Sequence, residues 1–215
     1  LIPANKVLYV SLILFSIATA MGLYLNSILP DNIFLWIGIT GIFIAFFYTA
    51  PPLKLGYNGL GEIITGFGFG TLVITASYFV QTQKITSEVL LASIPLAILV
   101  GLILLINEFP DFEADKKTKK RNWVVLFGKE KAKDIYIVFL VLVYIIVIAE
   151  AYYLIIPYWC LLAFFSLPLA LNAIKTIKKN YNKVEQLLPA NKSTIALHLV
   201  FGILFALGFL LDYLF

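Results

Sequence analysis

The sequence predicts an all-α protein, a polytopic bundle of transmembrane helices, and three observations lead to this prediction. The 215-residue chain is 61% hydrophobic and only 13% charged, with a mean hydropathy of +0.96. Average soluble domains are roughly 45–50% apolar and about 25% charged. The apolar residues fall in long runs, and the basic residues fall almost entirely between alternate runs. Both patterns are typical of integral membrane proteins.

Seven of the apolar runs are long enough to cross a bilayer, since a helix needs roughly 20 residues to span about 30 Å of hydrocarbon. In order, they cover about residues 7–26, 33–50, 60–80, 88–106, 134–156, 157–174 and 195–215. The boundary between the fifth and sixth runs is placed at Pro157, because proline fits the first turn of a helix. No repeat or linker divides the chain, so we expect residues 1–215 to form one domain.

The lysine and arginine residues predict the orientation of this bundle. If residues 1–6 and every second loop lie on one side, that side holds all but one of the 16 basic residues, and only Lys84 lies opposite. Loops rich in lysine and arginine stay in the cytoplasm. We therefore expect an integral protein of the cell membrane whose loops after the second and fourth runs face the cytoplasm.

The stretch NEFPDFEAD, residues 107–115, follows the fourth run directly. Asn107, Asp111 and Asp115 are four residues apart and would share one face of a helix, and Pro110 is expected to open a new short helix there. Two carboxylates one turn apart repel each other unless a cation joins them, and Mg²⁺ commonly uses one or two carboxylates plus substrate phosphates. The alternative is a solvated loop of mixed charge.

A second polar stretch, YTAPPLKLGYNGLGE, covers residues 48–62 on the same predicted side. Lys54 could bind a phosphate, or simply extend its charge to the membrane surface. Tyr48 could present its ring face to a cation, or lie in the aromatic belt of the membrane interface. Glu62 could favour the start of the third helix.

Other polar or small residues are expected to have structural roles. Gly66, Gly68 and Gly70 would permit close packing of membrane helices. Glu150 lies near the opposite end of the fifth run, away from both polar stretches. His198 is expected to be a packed histidine.

The two polar stretches resemble motifs of the UbiA superfamily of intramembrane prenyltransferases. Residues 107–128 are similar to its second aspartate-rich motif, N-x-x-x-D-x-x-x-D followed by a basic stretch and a glycine, and the matching residues are Asn107, Asp111, Asp115, Lys120, Arg121 and Gly128. Asn122 stands where the family commonly has threonine, and Lys119 where it commonly has glycine. Residues 48–54 resemble the family's Y-x-x-P-P-x-x-K loop, matched by Tyr48 and Lys54.

The opening LIPANK resembles the segment that follows the family's first aspartate motif. The family has nine spans, so the resemblance implies that seven of nine lie in this chain. The first aspartate motif and the first two helices would then lie upstream of Leu1.

The resemblance implies the transfer of a prenyl group from a prenyl diphosphate to a small aromatic acceptor, with Mg²⁺ as cofactor. Asp111 and Asp115 would bind the metal. Asn107, Lys54, Lys120 and Arg121 would bind the diphosphate substrate. Tyr48 and Lys54 would be the catalytic residues, with Tyr48 facing the allylic cation. The lipid bilayer would shelter the isoprenoid tail, and no nucleic-acid partner is expected.

The identity of the acceptor is open at this point. The sequences of residues 107–117 and 62–82 look most like those of the 1,4-dihydroxy-2-naphthoate branch, which makes menaquinone precursors. Other branches use 4-hydroxybenzoate, haem, chlorophyllide or, in archaeal lipid synthesis, geranylgeranylglyceryl phosphate. Two alternatives are not enzymes: a cation-coupled transporter, which would place charges near the bilayer midplane, and a catalytically silent membrane scaffold.

Overall fold

The computed structural model describes residues 3–215, and within that part of the chain the regular structure is entirely helical. The α-helices are α1 (Ala4–Ile28), α2 (Ile33–Phe47), α3 (Gly61–Gly66), α4 (Val73–Thr82), α5 (Ser87–Ala92), α6 (Ile94–Lys117), α7 (Trp123–Tyr152), α8 (Leu167–Asn180) and α9 (Val184–Leu214). A π-helical turn, Phe67–Leu72, joins α3 to α4. Two 3₁₀ helices cover Leu55–Tyr57 and Tyr158–Ser166. Leu1 and Ile2, which begin the LIPANK match, lie outside the described residues.

The predicted membrane bundle is confirmed. Six helical segments among residues 3–215 are long and apolar enough to cross a membrane: Asn5–Ile28, Gly61–Thr82, Ser87–Lys117, Trp123–Tyr152, Tyr158–Asn180 and Val184–Leu214. The seventh apolar segment, α2, has 15 residues and is shorter than its predicted run. The segments follow one another in the predicted order.

The expectation that Pro110 opens a new helix is wrong. Helix α6 continues from Ile94 through Pro110 to Lys117. Proline removes one backbone donor, but membrane helices tolerate it because neighbouring groups compensate for the lost bond. Helix α6 therefore runs about two turns beyond its apolar part. Asn107, Asp111 and Asp115 lie on one face of this polar extension.

Two helices begin earlier than their hydropathy predicts. Helix α7 begins at Trp123, because the Asn122 side chain accepts a hydrogen bond from the Val125 N–H at 2.9 Å and caps the helix. The lysine-rich stretch that follows, residues 129–133, is also helical although it is polar. The backbone leaves the helical region at Gly128 (φ 78°, ψ 155°), a conformation that is essentially restricted to glycine. Helix α9 likewise begins at Val184, ahead of its apolar run.

The buried core lies among α6, α7, α8, α9 and the Tyr158–Ser166 segment, with Leu105, Tyr136, Leu140, Leu197 and Phe201 at its centre. A second contact brings α3 and the π-helical turn unusually close to α6. A Cβ atom on Gly70 would lie 2.5 Å from the Ala97 Cα, and one on Gly66 would lie 2.5 Å from the Ala97 carbonyl oxygen. The predicted role of these glycines in close packing is confirmed at both positions.

Candidate active site

The two polar stretches meet at one end of the bundle. The Arg121 N–H donates to the Tyr57 carbonyl oxygen at 3.0 Å, and the Trp123 indole N–H donates to the Gly59 carbonyl oxygen at 2.9 Å. The loop after α2 therefore packs directly on the loop between α6 and α7. Residues more than 60 positions apart in the sequence form one polar surface at this end.

Asp115 is the centre of a hydrogen-bonded cluster. Its Oδ2 accepts from the Lys120 Nζ at 3.1 Å and from the Asn122 Nδ2 at 2.7 Å, and its carbonyl oxygen accepts from the Lys120 N–H at 2.9 Å. Lys119, with φ 58°, turns the chain back toward α6 and allows these bonds. Asn122, a departure from the family pattern, is thus a residue of the cluster as well as the cap of α7.

Two buried glutamates extend this cluster into the bundle. The Lys120 Nζ lies 3.7 Å from Glu108 Oε1, and the Glu62 carboxyl lies beside that of Glu108. Glu62 is 3% exposed and Glu108 is 2% exposed. The Glu62 Oε1 accepts from the Trp123 N–H at 2.7 Å. Within residues 3–215, no other group donates a hydrogen bond to Glu62 Oε2 or to either Glu108 oxygen, so the contact between the two carboxyl groups satisfies them when one of the two carries a proton.

Charge pairing controls the protonation of Lys120. Burial works to lower its pKa, but the hydrogen bond to Asp115 and the nearby Glu108 carboxylate outweigh burial, so the pKa of Lys120 is raised above 10.5. The folded protein therefore holds this proton more tightly than the unfolded chain. The resulting stabilisation is fully present below the ordinary lysine pKa and is lost as the pH rises through the raised value.

The other residues singled out by the sequence lie around this cluster with few side-chain contacts. Asn107 accepts a hydrogen bond from the Asn191 Nδ2 at 2.6 Å. The side chains of Asp111, Lys54 and Arg121 are exposed and form no hydrogen bond or ion pair with the described residues.

Tyr48 lies at the end of α2 and points toward the third span. A Cβ atom on Gly56 would lie 2.7 Å from its ring, and its hydroxyl is 3.5 Å from the Thr65 Oγ1. The absence of a side chain at Gly56 thus makes room for the ring.

A half-open apolar cavity of about 280 Å³ lies between the third, fourth and fifth spans, and two of its lining residues, Ile63 and Phe67, are exposed at the surface. The residues that surround it are Glu62, Ile63, Gly66, Phe67, Thr71, Ile94, Ala97, Ile98, Gly101, Leu102, Leu105, Trp123 and Phe139. Glu62 is the one acidic residue among them. A series of side-chain contacts connects the cavity to the polar surface. Glu62 contacts Glu108, Glu108 lies near Lys120, and Lys120 pairs with Asp115.

The donor set of Asp111 and Asp115 fits a magnesium ion. The two carboxylates lie one turn apart on α6, and only Oδ2 of Asp115 accepts hydrogen bonds. In the described part of the chain, no group of three or more His, Cys, Asp or Glu side chains is arranged to hold a metal ion. Two carboxylates completed by phosphate and water oxygens are a usual environment for Mg²⁺.

Comparisons with known proteins extend over the whole bundle. The model of the UbiA prenyltransferase family matches residues 1–195. The chain is 32% identical over 209 residues to the 1,4-dihydroxy-2-naphthoate octaprenyltransferase of Bacillus subtilis, covering 97% of this chain and 67% of that protein. It is 31% identical over 168 residues to the 2-carboxy-1,4-naphthoquinone phytyltransferase of Synechocystis sp., covering 78% of this chain and 55% of that protein.

A third relative is the UbiA prenyltransferase domain-containing protein 1 of Gallus gallus, which is 27% identical over 190 residues, covering 87% of this chain and 56% of that protein. The chain thus spans between about half and two thirds of the length of these three relatives.

Proposed function

Because this chain belongs to the UbiA prenyltransferase family, we propose that it transfers a prenyl group from a prenyl diphosphate to a small aromatic acceptor of the 1,4-dihydroxy-2-naphthoate type. The proposal rests mainly on the contact between Asp115 and Lys120 at the end of α6. Asp115 lies one helical turn beyond Asp111, and its contacts lead to an apolar cavity. Within this proposal residues 1–215 form a single prenyltransferase domain. The names of the bacterial relatives support the choice of a naphthoate acceptor.

Asp111 and Asp115 would hold magnesium at the diphosphate of the prenyl substrate. When bound, the metal would neutralise the negative charge that develops on the leaving diphosphate. Lys120 would keep its positive charge beside Asp115 throughout the physiological pH range. The exposed side chains of Lys54 and Arg121 are free to turn toward the same phosphates, and Asn107 would contribute an amide at the rim.

The apolar interior would protect the reaction from water. An allylic cation reacts with any nearby nucleophile, so an apolar wall limits its capture by water. The ring of Tyr48, held against Gly56, would face the cation. The excess of lysine and arginine at this end of the bundle supports a cytoplasmic site in the cell membrane.

The metal site is tested by binding of a prenyl diphosphate to the full-length protein with and without Mg²⁺. Asp111→Asn and Asp115→Asn should each weaken the Mg²⁺-dependent binding by about tenfold or more, since each removes one charged oxygen ligand. Glu113→Gln is the matched control, because Glu113 is an exposed carboxylate between the two aspartates in the sequence. Unchanged metal-dependent binding in both aspartate variants would contradict the assignment.

The acceptor is tested by product analysis with a panel of acceptors. The expected product is prenylated dihydroxynaphthoate or its decarboxylated form. Activity with geranylgeranylglyceryl phosphate alone would instead move the protein to the lipid branch of the family.

A further inference from the structure

We propose that Asn191, on α9, is a positioning residue that orients the Asn107 carboxamide so that its N–H₂ group faces the diphosphate of the prenyl substrate. Asn107 would then donate a hydrogen bond to a phosphate oxygen and would not be an oxygen ligand of the metal. This inference rests on the proposed function, and it brings helix α9 into the diphosphate site.

The first observation is a short hydrogen bond between two carboxamides on different helices. The Asn191 Nδ2 donates to the Asn107 Oδ1 at 2.6 Å, across 84 positions of the sequence. The bond occupies the oxygen of Asn107, whose exposed Nδ2 donates to no acceptor in the described part of the chain. Because a carboxamide is planar, fixing its oxygen also fixes the direction of its two N–H donors. The free donors of Asn107 therefore point away from Asn191.

The second observation is that Asn191 keeps this orientation although its own oxygen stays unpaired. The Asn191 Oδ1 is buried and accepts no hydrogen bond from residues 3–215. In the reverse orientation its N–H₂ group would be buried there instead, which would leave two donors unpaired in place of one acceptor atom. Asn191 is therefore the donor of the pair and Asn107 the acceptor.

The backbone around Asn191 is held in place by its neighbours on α9. The Asn172 Nδ2 on α8 donates to the Ser193 Oγ at 2.7 Å. The hydroxyl groups of Thr194 and of Tyr136 on α7 lie 2.6 Å apart, and both side chains are completely buried. A side chain on a helix anchored in this way is preorganised, so it can hold a partner group in one orientation.

The stability of the fold gives little reason for the contact between the two carboxamides. The Asn107 side chain is exposed, so water can replace Asn191 as its partner, and the unpaired oxygen of Asn191 works against folding. The contact is better explained by the orientation of Asn107. This residue shares a face of α6 with Asp111, about 6 Å away along the helix axis. A diphosphate is long enough to contact both residues.

The test is the Mg²⁺-dependent binding of a prenyl diphosphate to the full-length Asn191→Asp variant. A carboxylate accepts hydrogen bonds but donates none, so the Asn107 carboxamide must turn round to keep the contact, and its oxygen then faces the diphosphate. We expect the Kd for the prenyl diphosphate to rise about tenfold or more, with little change in melting temperature. A purely structural contact would be served equally well by this variant, and the Kd would stay unchanged.

Two controls separate the orientation of Asn107 from the added negative charge. Asn182→Asp introduces the same charge at an exposed position just before α9, and it should change the Kd by less than about twofold, because salt screens exposed charges. In an Asn107→Ala background, Asn191→Asp should have no further effect, since the group that it orients is absent. A tenfold loss that persists in that background would come from charge alone and would overturn the inference.

Asn191→Leu keeps the proposal testable if Asn191→Asp does not fold. It removes the hydrogen bond without adding a charge, and the freed carboxamide of Asn107 should raise the Kd about threefold or more, because its orientation must be fixed on binding. An unchanged Kd in the folded variants of Asn191 would overturn the inference and leave the proposed function standing. Failure of the wild-type protein to bind a prenyl diphosphate with Mg²⁺ would instead overturn the proposed function.

Discussion

Lys120 is the residue that makes two acidic side chains compatible with the end of a membrane helix. It lies 3.1 Å from Asp115 and 3.7 Å from Glu108, and Glu108 is almost completely buried. A buried carboxylate is costly unless a cation and hydrogen bonds compensate for the lost water. The lysine therefore stabilises the fold as well as adding positive charge for a diphosphate.

Lys120→Met should destabilise the protein by about 1–3 kcal/mol, because it removes the 3.1 Å ion pair and hydrogen bond that Asp115 receives from Lys120. Adding Asp115→Asn to this variant should restore part of the stability, since the amide removes the unpaired charge. Thermal unfolding in detergent of both single variants and the double variant measures this coupling. Strictly additive effects of the two substitutions would show that the ion pair does not contribute.

At the residue scale, the sequence predicted Asp115 and Lys120 but not Glu62, Glu108 or Asn122 as members of the cluster. Pro110 was expected to break the helix, which would have separated Glu108 from Asp115. In the continuous α6 these two residues are seven positions apart and share a face. The Glu62 contact depends on how the third span packs on α7, which no local pattern contains.

At the scale of elements, the close contact of the π-helical turn with α6 determines how wide the cavity between the spans is. Such a turn is rare and widens the helix locally. Phe67 and Thr71, both in this turn, border the cavity, while Gly70 lies against the backbone of Ala97. The turn thus places two cavity residues and one packing residue within six positions.

Gly70→Ala should destabilise the bundle by about 1–3 kcal/mol, because the added methyl group would overlap the Ala97 backbone, which cannot rotate away. Gly68→Ala is a matched control in the same turn. Its Cβ would meet only the Ile44 side chain, at 3.8 Å. Thermal unfolding should separate the two variants. Equal melting temperatures would mean that the two helices are less closely packed than the structure indicates.

At the scale of elements, hydropathy predicted the order and approximate centres of all seven segments but not their polar ends. Asn122 caps the first turn of α7, and Lys129, Lys131 and Lys133 lie in the longer helical part that follows the break at Gly128. Capping and side-chain packing decide such boundaries, whereas a hydropathy window detects only the hydrocarbon part of a span.

The orientation of the whole molecule can be tested with engineered cysteines. Lys179→Cys, at the end of α8, should react with a membrane-impermeant maleimide only after the cells are permeabilised, whereas Lys84→Cys should react in intact cells. Both positions are exposed, and the native Cys160 is buried and should stay unlabelled in folded protein. Labelling of Lys179→Cys in intact cells would reverse the proposed orientation.

The hydrogen bond between Glu62 and the Trp123 N–H also has a consequence for biogenesis. It joins residues 61 positions apart, so during synthesis the Glu62 carboxyl enters the bilayer region well before its partner has left the ribosome. The pocket can close only after α7 has been inserted, because Trp123 and Phe139 form part of its wall. Until then the nascent chain carries an unpaired acidic group at the membrane boundary, and α7 is the segment that completes the interior.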